Sequence, residues 1–397
     1  MADRPLRIAA DARTLNTPHL RGIGKVLYEL VRRTAASGAV EWHLFADCPE
    51  RPMQAPEGAG AVSVFDTPGH RFHAWEQWSL PRAARECRAD LLHAPGTSMP
   101  WWQPVPAIVT VHDTIPWQQR DGSTTRDFYR DRLLPAAYHR AAAIITISQN
   151  SRKDILARWP ALKPKLHVVP NGVDERYLDA QPDHAPIVIG DQPITEPYLL
   201  YFGGASPRKR LMWALQAWWR GGADRSTLVV CGLEPDAHAD FRKSIPRELQ
   251  HKVILAPFLS EEDLPRIYMR ATAVLYPTLY EGFGLPAVEA QAVGTPAIFS
   301  AVGSLGELNG PGAIILPVDD LDVWARTVSN LLDDRRARFG PDRIARAWAR
   351  QYSWDACVER TLAVYGSVIP RLKPGAVSTH GPAHQNRDHD VRQRATS

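Results

Sequence analysis

Residues 276–300, YPTLYEGFGLPAVEAQAVGTPAIFS, read as the end of a strand, a loop holding two glycines, and a helix. Gly282 and Gly284 allow the backbone to approach a ligand closely. Pro286 suits the first turn of a helix, where its missing N–H would have no partner in any case. The amides of Phe283, Gly284 and Leu285 would then point at an anion or hydroxyl above that helix. Glu281 stands on the loop and Glu289 one turn into the helix, so two carboxylates could address two parts of an elongated ligand. A carboxylate accepts paired hydrogen bonds from a sugar or ribose diol. Taken alone, an E-x7-E spacing is far more often a surface loop glutamate and a helix packing partner; the residues between the two give it meaning here.

On both sides of this stretch, short apolar runs alternate with amphipathic segments, the pattern of βαβ units. Strands are predicted at 6–10, 42–45, 62–65, 91–93, 107–111, 143–147 and 166–169, and in a second series at 198–202, 227–231, 253–256, 273–276, 297–300 and 313–316. Between 24 and 35 a helix is expected, with Val26, Leu27, Leu30 and Val31 on one stripe and Arg32 and Arg33 near its C-terminal end. The Pro-, Asp- and Gln-containing stretch around Ala180–Pro197 interrupts the alternation and reads as a linker. The fold expected is therefore α/β, as two domains: 1–182, then a linker at 183–197, then 198–350. From about Leu372 the chain is too polar and too broken by Pro and Gly to repay its ordering, so 372–397 is expected to be a disordered tail.

Composition narrows the function classes. The chain has 397 residues, 44% hydrophobic and 23% charged, with mean hydropathy −0.29. That length suits two or three domains. Forty-seven Lys and Arg against 43 Asp and Glu give a formal charge of +4, which does not call for nucleic acid. Cys48, Cys87, Cys231 and Cys357 stand far apart without CxxC or Cys/His clustering, so neither a metal site nor a redox pair is expected. No apolar run approaches the roughly 20 residues that span a bilayer, and Met1–Arg7 lacks a secretory core. A cytoplasmic location follows as an expectation.

Other residues stand out by position. Arg208 and Lys209, in GGASPRKR, follow a strand and open a helix carrying Leu211, Leu215 and Trp218. Cations there oppose the helix dipole unless an anion is bound, and a diphosphate would satisfy both. Gly22 and Gly24 lie in a loop before the first helix, but position 27 is Leu, so G-x-G-x-x-G is incomplete and a dinucleotide site is disfavoured. His112 and Asp113 close a buried strand at its C-terminal end, where open α/β sheets bind ligands. Trp75, Trp78, Trp101, Trp102 and Trp117 crowd the first domain. Core packing, stacking on an acceptor sugar and a membrane interface all suit them.

EGFGLPAVEA resembles the family 4 glycosyltransferases, retaining enzymes of the GT-B fold that use nucleotide-sugar donors. RGIGKVLYEL (21–30), VHDTIP (111–116), ISQNSRKDI (147–155), VVPNGVD (168–174) and YFGGASPRKR (201–210) extend the likeness in the family's order. The resemblance implies two Rossmann-like α/β/α domains facing across a cleft, with the helical stretch of 351–371 crossing back to the first. It assigns Glu281 to the donor sugar, Glu289 to the ribose, and Arg208 and Lys209 to the diphosphate. His112 orients the donor sugar, while Gly22 and Gly24 lie near the phosphates. Gly282, Phe283, Gly284 and Leu285 complete the donor loop, with Asp113 and Trp117 on the acceptor side. No metal or other cofactor is implied.

The expected reaction moves a hexose, with retention, from a nucleoside diphosphate sugar to a hydroxyl of a saccharide or lipid-linked saccharide, as in bacterial polysaccharide assembly. With a lipid-linked acceptor the first domain would touch the inner membrane face peripherally. The PRK segment resembles polysaccharide mannosyltransferases, which favours GDP-mannose over dTDP-rhamnose or a UDP-hexose. A nucleotide-sugar epimerase on the same fold and a non-catalytic saccharide-binding partner are the alternatives. The chain departs from its relatives in two places: some carry an Arg just after the first strand of the second domain, where this chain has Gly203 or Gly204, and after TPAIFSAVGS they commonly continue with Pro-Glu, where Leu305 is here followed by Gly306 and Glu307.

Overall fold

The computed structural model describes residues 4–370 apart from 19, 21, 36–37, 65–73, 119–123, 191, 257–258 and 335–341. The tail expected at 372–397, and Phe65 of the third predicted strand, lie outside the described residues.

The first domain carries β1 (Leu6–Asp11), β2 (Val40–Ala46), β3 (Val62–Val64), β4 (Leu91–Ala94), β5 (Ala107–Val111), β6 (Ala143–Thr146) and β7 (Leu166–Val168). All are parallel, in the order β3-β2-β1-β4-β5-β6-β7. Helices cover both faces, so strands such as β5 and β6 are buried throughout and read as continuous apolar runs rather than as alternation. The second domain repeats the plan after a short antiparallel pair, β8 (Val188–Ile189) and β9 (Gln192–Pro193). Its sheet holds β10 (Tyr198–Phe202), β11 (Thr227–Cys231), β12 (Val253–Ala256), β13 (Ala273–Tyr276), β14 (Ala297–Phe299) and β15 (Ala313–Ile315). Their order is β12-β11-β10-β13-β14-β15, again parallel.

The stretch read as a plain linker therefore contains structure: Ile187 and Ile189 are buried and join the core around β10 and β13. A run of only three apolar residues, Ile187–Ile189, between prolines carries too little periodicity to announce this.

Six helices matter for the cleft: α1 (Gly22–Ala35), α2 (Gln149–Arg158), α3 (Leu211–Gly222), α4 (Leu285–Val293), α5 (Leu321–Asp333) and α6 (Trp354–Val368). In α1, Val26, Leu27, Leu30 and Val31 are buried against the sheet. Arg33 is buried with them, its charge met by Glu29, Glu175 and Asp355. α5 packs on α3 across the outer face of the second sheet, Trp324 and Val328 joining Trp218 in one core.

The C-terminal helix α6 starts where Ser353 caps the amide of Ala356. Its Trp354, Cys357, Val358 and Tyr365 then enter the first domain's core. Tyr365 Oη lies 2.7 Å from Nδ1 of buried His93, whose Nε2 is 3.0 Å from Thr110 Oγ1. The last helix thus belongs to the packing of the first domain although it follows the second in sequence.

Candidate functional site

In each sheet the chain reverses its direction of strand addition between the first and fourth strands, β1/β4 and β10/β13. At such a point the loops leaving the C-terminal strand ends diverge and open a crevice. The loops after β10 and β13 bring Pro207–Lys209 together with residues 277–284.

Arg208 and Lys209 stand on a 3₁₀ turn, Pro207–Lys209, rather than in the helix. Arg210 follows in a left-handed conformation, φ 51°, which separates the turn from α3. Its guanidinium is fixed at Val318 O (2.6 Å), at Asp319 (2.9 Å) and over Trp213.

The turn is stitched to the second loop. Leu279 N donates to Arg208 O at 2.9 Å, and the Arg208 guanidinium donates to the carbonyl of Tyr280. Glu281 Oε1 then receives Lys209 Nζ at 2.6 Å, Arg208 Nη1 at 2.7 Å and the Thr278 hydroxyl at 2.9 Å. The anion that offsets these two cations is thus the loop's own carboxylate. Burial lowers the Lys209 pKa and the Arg208 charge adds to this, while Glu281 opposes it.

Beyond Glu281, Gly284 adopts φ 111° as the residue preceding α4. A Cβ there would lie 2.4 Å from Leu305. Gly282 is packed against the other domain: its Cβ would stand 2.8 Å from the carbonyl oxygen of His112. Phe283 is buried, and Leu285 approaches Gly22 of α1.

Glu289, on α4, accepts the Tyr268 hydroxyl at 2.9 Å. Burial pushes its pKa up to about 7, with the Lys25 charge and the Tyr268 hydroxyl pulling the other way. Lys25 extends from α1 to Glu261 (3.3 Å) and Asp174 (3.6 Å), so it bridges the cleft beside Glu289.

His112 is buried, and its Nε2 donates to Pro95 O at 2.7 Å. Burial lowers its pKa to about 4, so the ring is neutral near pH 7 and Nδ1 keeps an acceptor lone pair. Asp113 Oδ1 accepts the Ile115 amide at 2.9 Å; burial raises its pKa. The cleft therefore offers a cation pair, two carboxylates at different depths and a neutral imidazole acceptor within closely packed loops.

The profile of Glycosyltransferase Family 4 matches residues 20–177, and that of Glycosyl transferases group 1 matches residues 189–348. The chain belongs to the family 4 glycosyltransferases. It is 28% identical over 303 residues to the O-antigen chain mannosyltransferase B of Escherichia coli, covering 73% of this chain and 76% of that one. Its fold matches sucrose-phosphate synthase from Thermosynechococcus elongatus with a TM-score of 0.71 at 19% identity, over 92% of this chain and 100% of that one. Anabaena HepE, solved with UDP and glucose, matches with a TM-score of 0.68 at 18% identity, over 91% and 100%. These likenesses fix the architecture as GT-B, two Rossmann-like domains across a cleft.

Against this frame, three expectations about the glycosyltransferase change. Trp117 does not face the cleft: it is 5% exposed, donates Nε1 to Arg130 O at 3.1 Å and stacks edge-on with Trp159. The sequence places it five residues past His112 but gives no sign that the Ile115–Gln118 turn directs its ring inward. Gly22 and Gly24 lie in the first turn of α1 rather than before it. Gly24 is a packing residue, since a Cβ would meet Thr14 O at 2.4 Å. Arg208 and Lys209 precede the helix on their own turn, as described. Sequence reading also passed over Lys25 and Tyr280. Both sit inside the quoted segments, but their relevance comes from contacts with residues far away in sequence.

Proposed function

We propose that this glycosyltransferase transfers a hexose with retention, mannose in our reading, from a nucleoside diphosphate sugar to a hydroxyl of a saccharide or lipid-linked saccharide. The observation that carries this is the convergence of Arg208, Lys209 and Glu281 at the switch point of the second sheet, facing His112 across the cleft. Breaking the anomeric C–O bond leaves negative charge on the diphosphate. Fixed cations that already point there stabilise that charge without reorganising. The acceptor oxygen bonds to the anomeric carbon on the face the leaving group vacates, and its proton passes to the departing phosphate oxygen. His112 Nδ1 and Glu281 orient the sugar, Glu289 holds the ribose, and no metal or other cofactor takes part.

The mannose assignment draws on the mannosyltransferase relative, whereas HepE's ligands keep a UDP-hexose in view. Among the described residues no helix is long and apolar enough to cross a membrane. Trp78, Trp101 and Phe128 are exposed on the first domain, with Arg140 over the Trp101 ring. They support a peripheral contact with the cytoplasmic membrane face, which vesicle sedimentation of the Trp78→Ala/Trp101→Ala chain tests. The transfer itself is tested by incubating GDP-mannose, UDP-glucose and dTDP-rhamnose with a saccharide panel and reading products by mass spectrometry. Proton–carbon coupling at the new anomeric centre reads its configuration. Release of an epimerised donor without acceptor, or tight nucleotide binding with no turnover across the panel, removes the proposal.

A further inference from the structure

The first turn of any helix leaves amide groups unpaired, and α2 opens at the cleft. Ser148 Oγ accepts the amide of Ser151 at 3.0 Å. The amides of Gln149 and Asn150 are met from the other domain, at 2.9 and 2.7 Å, by the two carboxylate oxygens of Glu307. Glu307 thereby caps a helix 157 residues away in sequence, with its charge placed favourably on the helix dipole.

Glu307 rides on the 3₁₀ segment Gly303–Leu308, which also braces the donor loop. Ser304 Oγ lies 2.7 Å from the carbonyl oxygens of both Glu281 and Phe283, and Leu305 fills the space beside Gly284. One turn further along α2, Asp154 accepts the Tyr280 hydroxyl at 2.7 Å. Tyr280 in turn presents its carbonyl to Arg208. Two residues flanking the donor loop, 280 and 307, thus grip one helix of the opposite domain.

We propose that Glu307, with Tyr280, is a closure latch: a positioning residue that holds α2 on the donor loop, so that the loop and the Arg208/Lys209 turn reach their working arrangement only when the cleft is closed. This rests on reading the cleft as the transferase site. The grip suits repeated use. Glu307 is exposed, so water replaces its two hydrogen bonds when the domains part, and the contact is modest in strength.

The test measures interdomain distance by pulsed dipolar spectroscopy in the full chain. Nitroxides are placed at exposed Arg82 and Asp240, with Cys48 and Cys87 replaced by serine. The parent chain is expected to give a short, narrow distribution that tightens with GDP or UDP. Glu307→Ala and Glu307→Ala/Tyr280→Phe should broaden it toward longer distances at unchanged melting temperature, and Glu307→Gln, which keeps one acceptor oxygen, should restore it in part. In transfer assays Glu307→Ala should lower kcat by about tenfold, the equivalent of one lost cap, with little change in donor KM. Should Glu307→Ala prove unstable, Tyr280→Phe alone carries the measurement. A distribution identical to the parent in both variants overturns the latch. An altered distribution in a chain that turns over no nucleotide sugar leaves the latch standing and removes the transferase reading instead.

Discussion

Glu281 and Lys209, 72 residues apart, meet at 2.6 Å, and Arg208 joins the same carboxylate oxygen at 2.7 Å. The loop acid thus holds in place the two cations that our reading gives to a diphosphate. A bound donor would share them with Glu281, whose charge limits the desolvation cost of keeping two cations side by side.

Replacing Lys209 by alanine removes the ammonium from the site of developing charge. Turnover is expected to fall on the order of 10²–10³-fold, the usual scale for one preorganised charge stabiliser. Steady-state kinetics on the preferred donor measure it. A variant that works at near the wild-type rate would show that Lys209 takes no part in the leaving-group clamp.

Glu281→Gln separates the internal anion from the donor. The variant should bind free nucleoside diphosphate more tightly than the parent, because the competing carboxylate charge is gone, yet transfer sugar more slowly. Titration calorimetry with GDP and UDP reads the first effect and product formation the second. Weaker binding of both nucleotides would mean that Glu281 orders the turn more than it competes for it.

Glu289 supplies a pH signature. Its folded pKa of about 7 exceeds the ordinary carboxylate value of 4.5, so between these the folded chain holds more protons than the unfolded one. Its contribution therefore lets stability decline as pH rises from 4.5 through 7. Ribose hydroxyls donate to the ionised form, so nucleotide affinity is expected to increase over the upper part of the same range. Glu289→Gln should flatten both trends. Melting curves and binding isotherms at several pH values, parent against variant, decide it; parallel profiles would count against the ribose role.

The two glycines of α1 are expected to differ. Gly24→Ala drives a Cβ to 2.4 Å from Thr14 O, a backbone atom with little freedom to yield. It should cost about 1–3 kcal/mol. At Gly22 the nearest atom is a Leu285 methyl at 3.8 Å, and alanine there should leave the fold intact or gain a few tenths of a kcal/mol in helix propensity. Chemical denaturation of both variants gives the comparison, and equal losses would contradict the packing described.

Acid should destabilise the first domain through its histidines. His93 and His112 have folded pKa values lowered to about 3 and about 4 by burial, below the ordinary 6.5. As pH falls through 6.5 the unfolded chain takes up protons that the folded chain refuses, and stability is lost progressively toward those lower values. His93→Gln should shallow this slope in urea titrations between pH 4 and 7; an unchanged slope would place the acid sensitivity elsewhere.

How much of this was legible beforehand follows the range of the forces involved. The strands of both sheets appear at or within a few residues of their predicted places because a parallel strand covered on both faces must be apolar along its length, and β5, β10 and β13 coincide with their runs. The glycine-punctuated loop before α4 is equally local, since only glycine accepts φ 111° at position 284 without strain. Residue types and order along the chain thus determined the two α/β units, the donor loop and the family resemblance. Tertiary structure alone decided which side chains meet. It buried Trp117, turned Glu281 onto Lys209, set Lys25 across the cleft beside Glu289 and placed Glu307 on the amides of α2. Each of these contacts joins residues that no local periodicity relates. Each depends on how two sheets, folded from separate stretches of chain, are brought face to face.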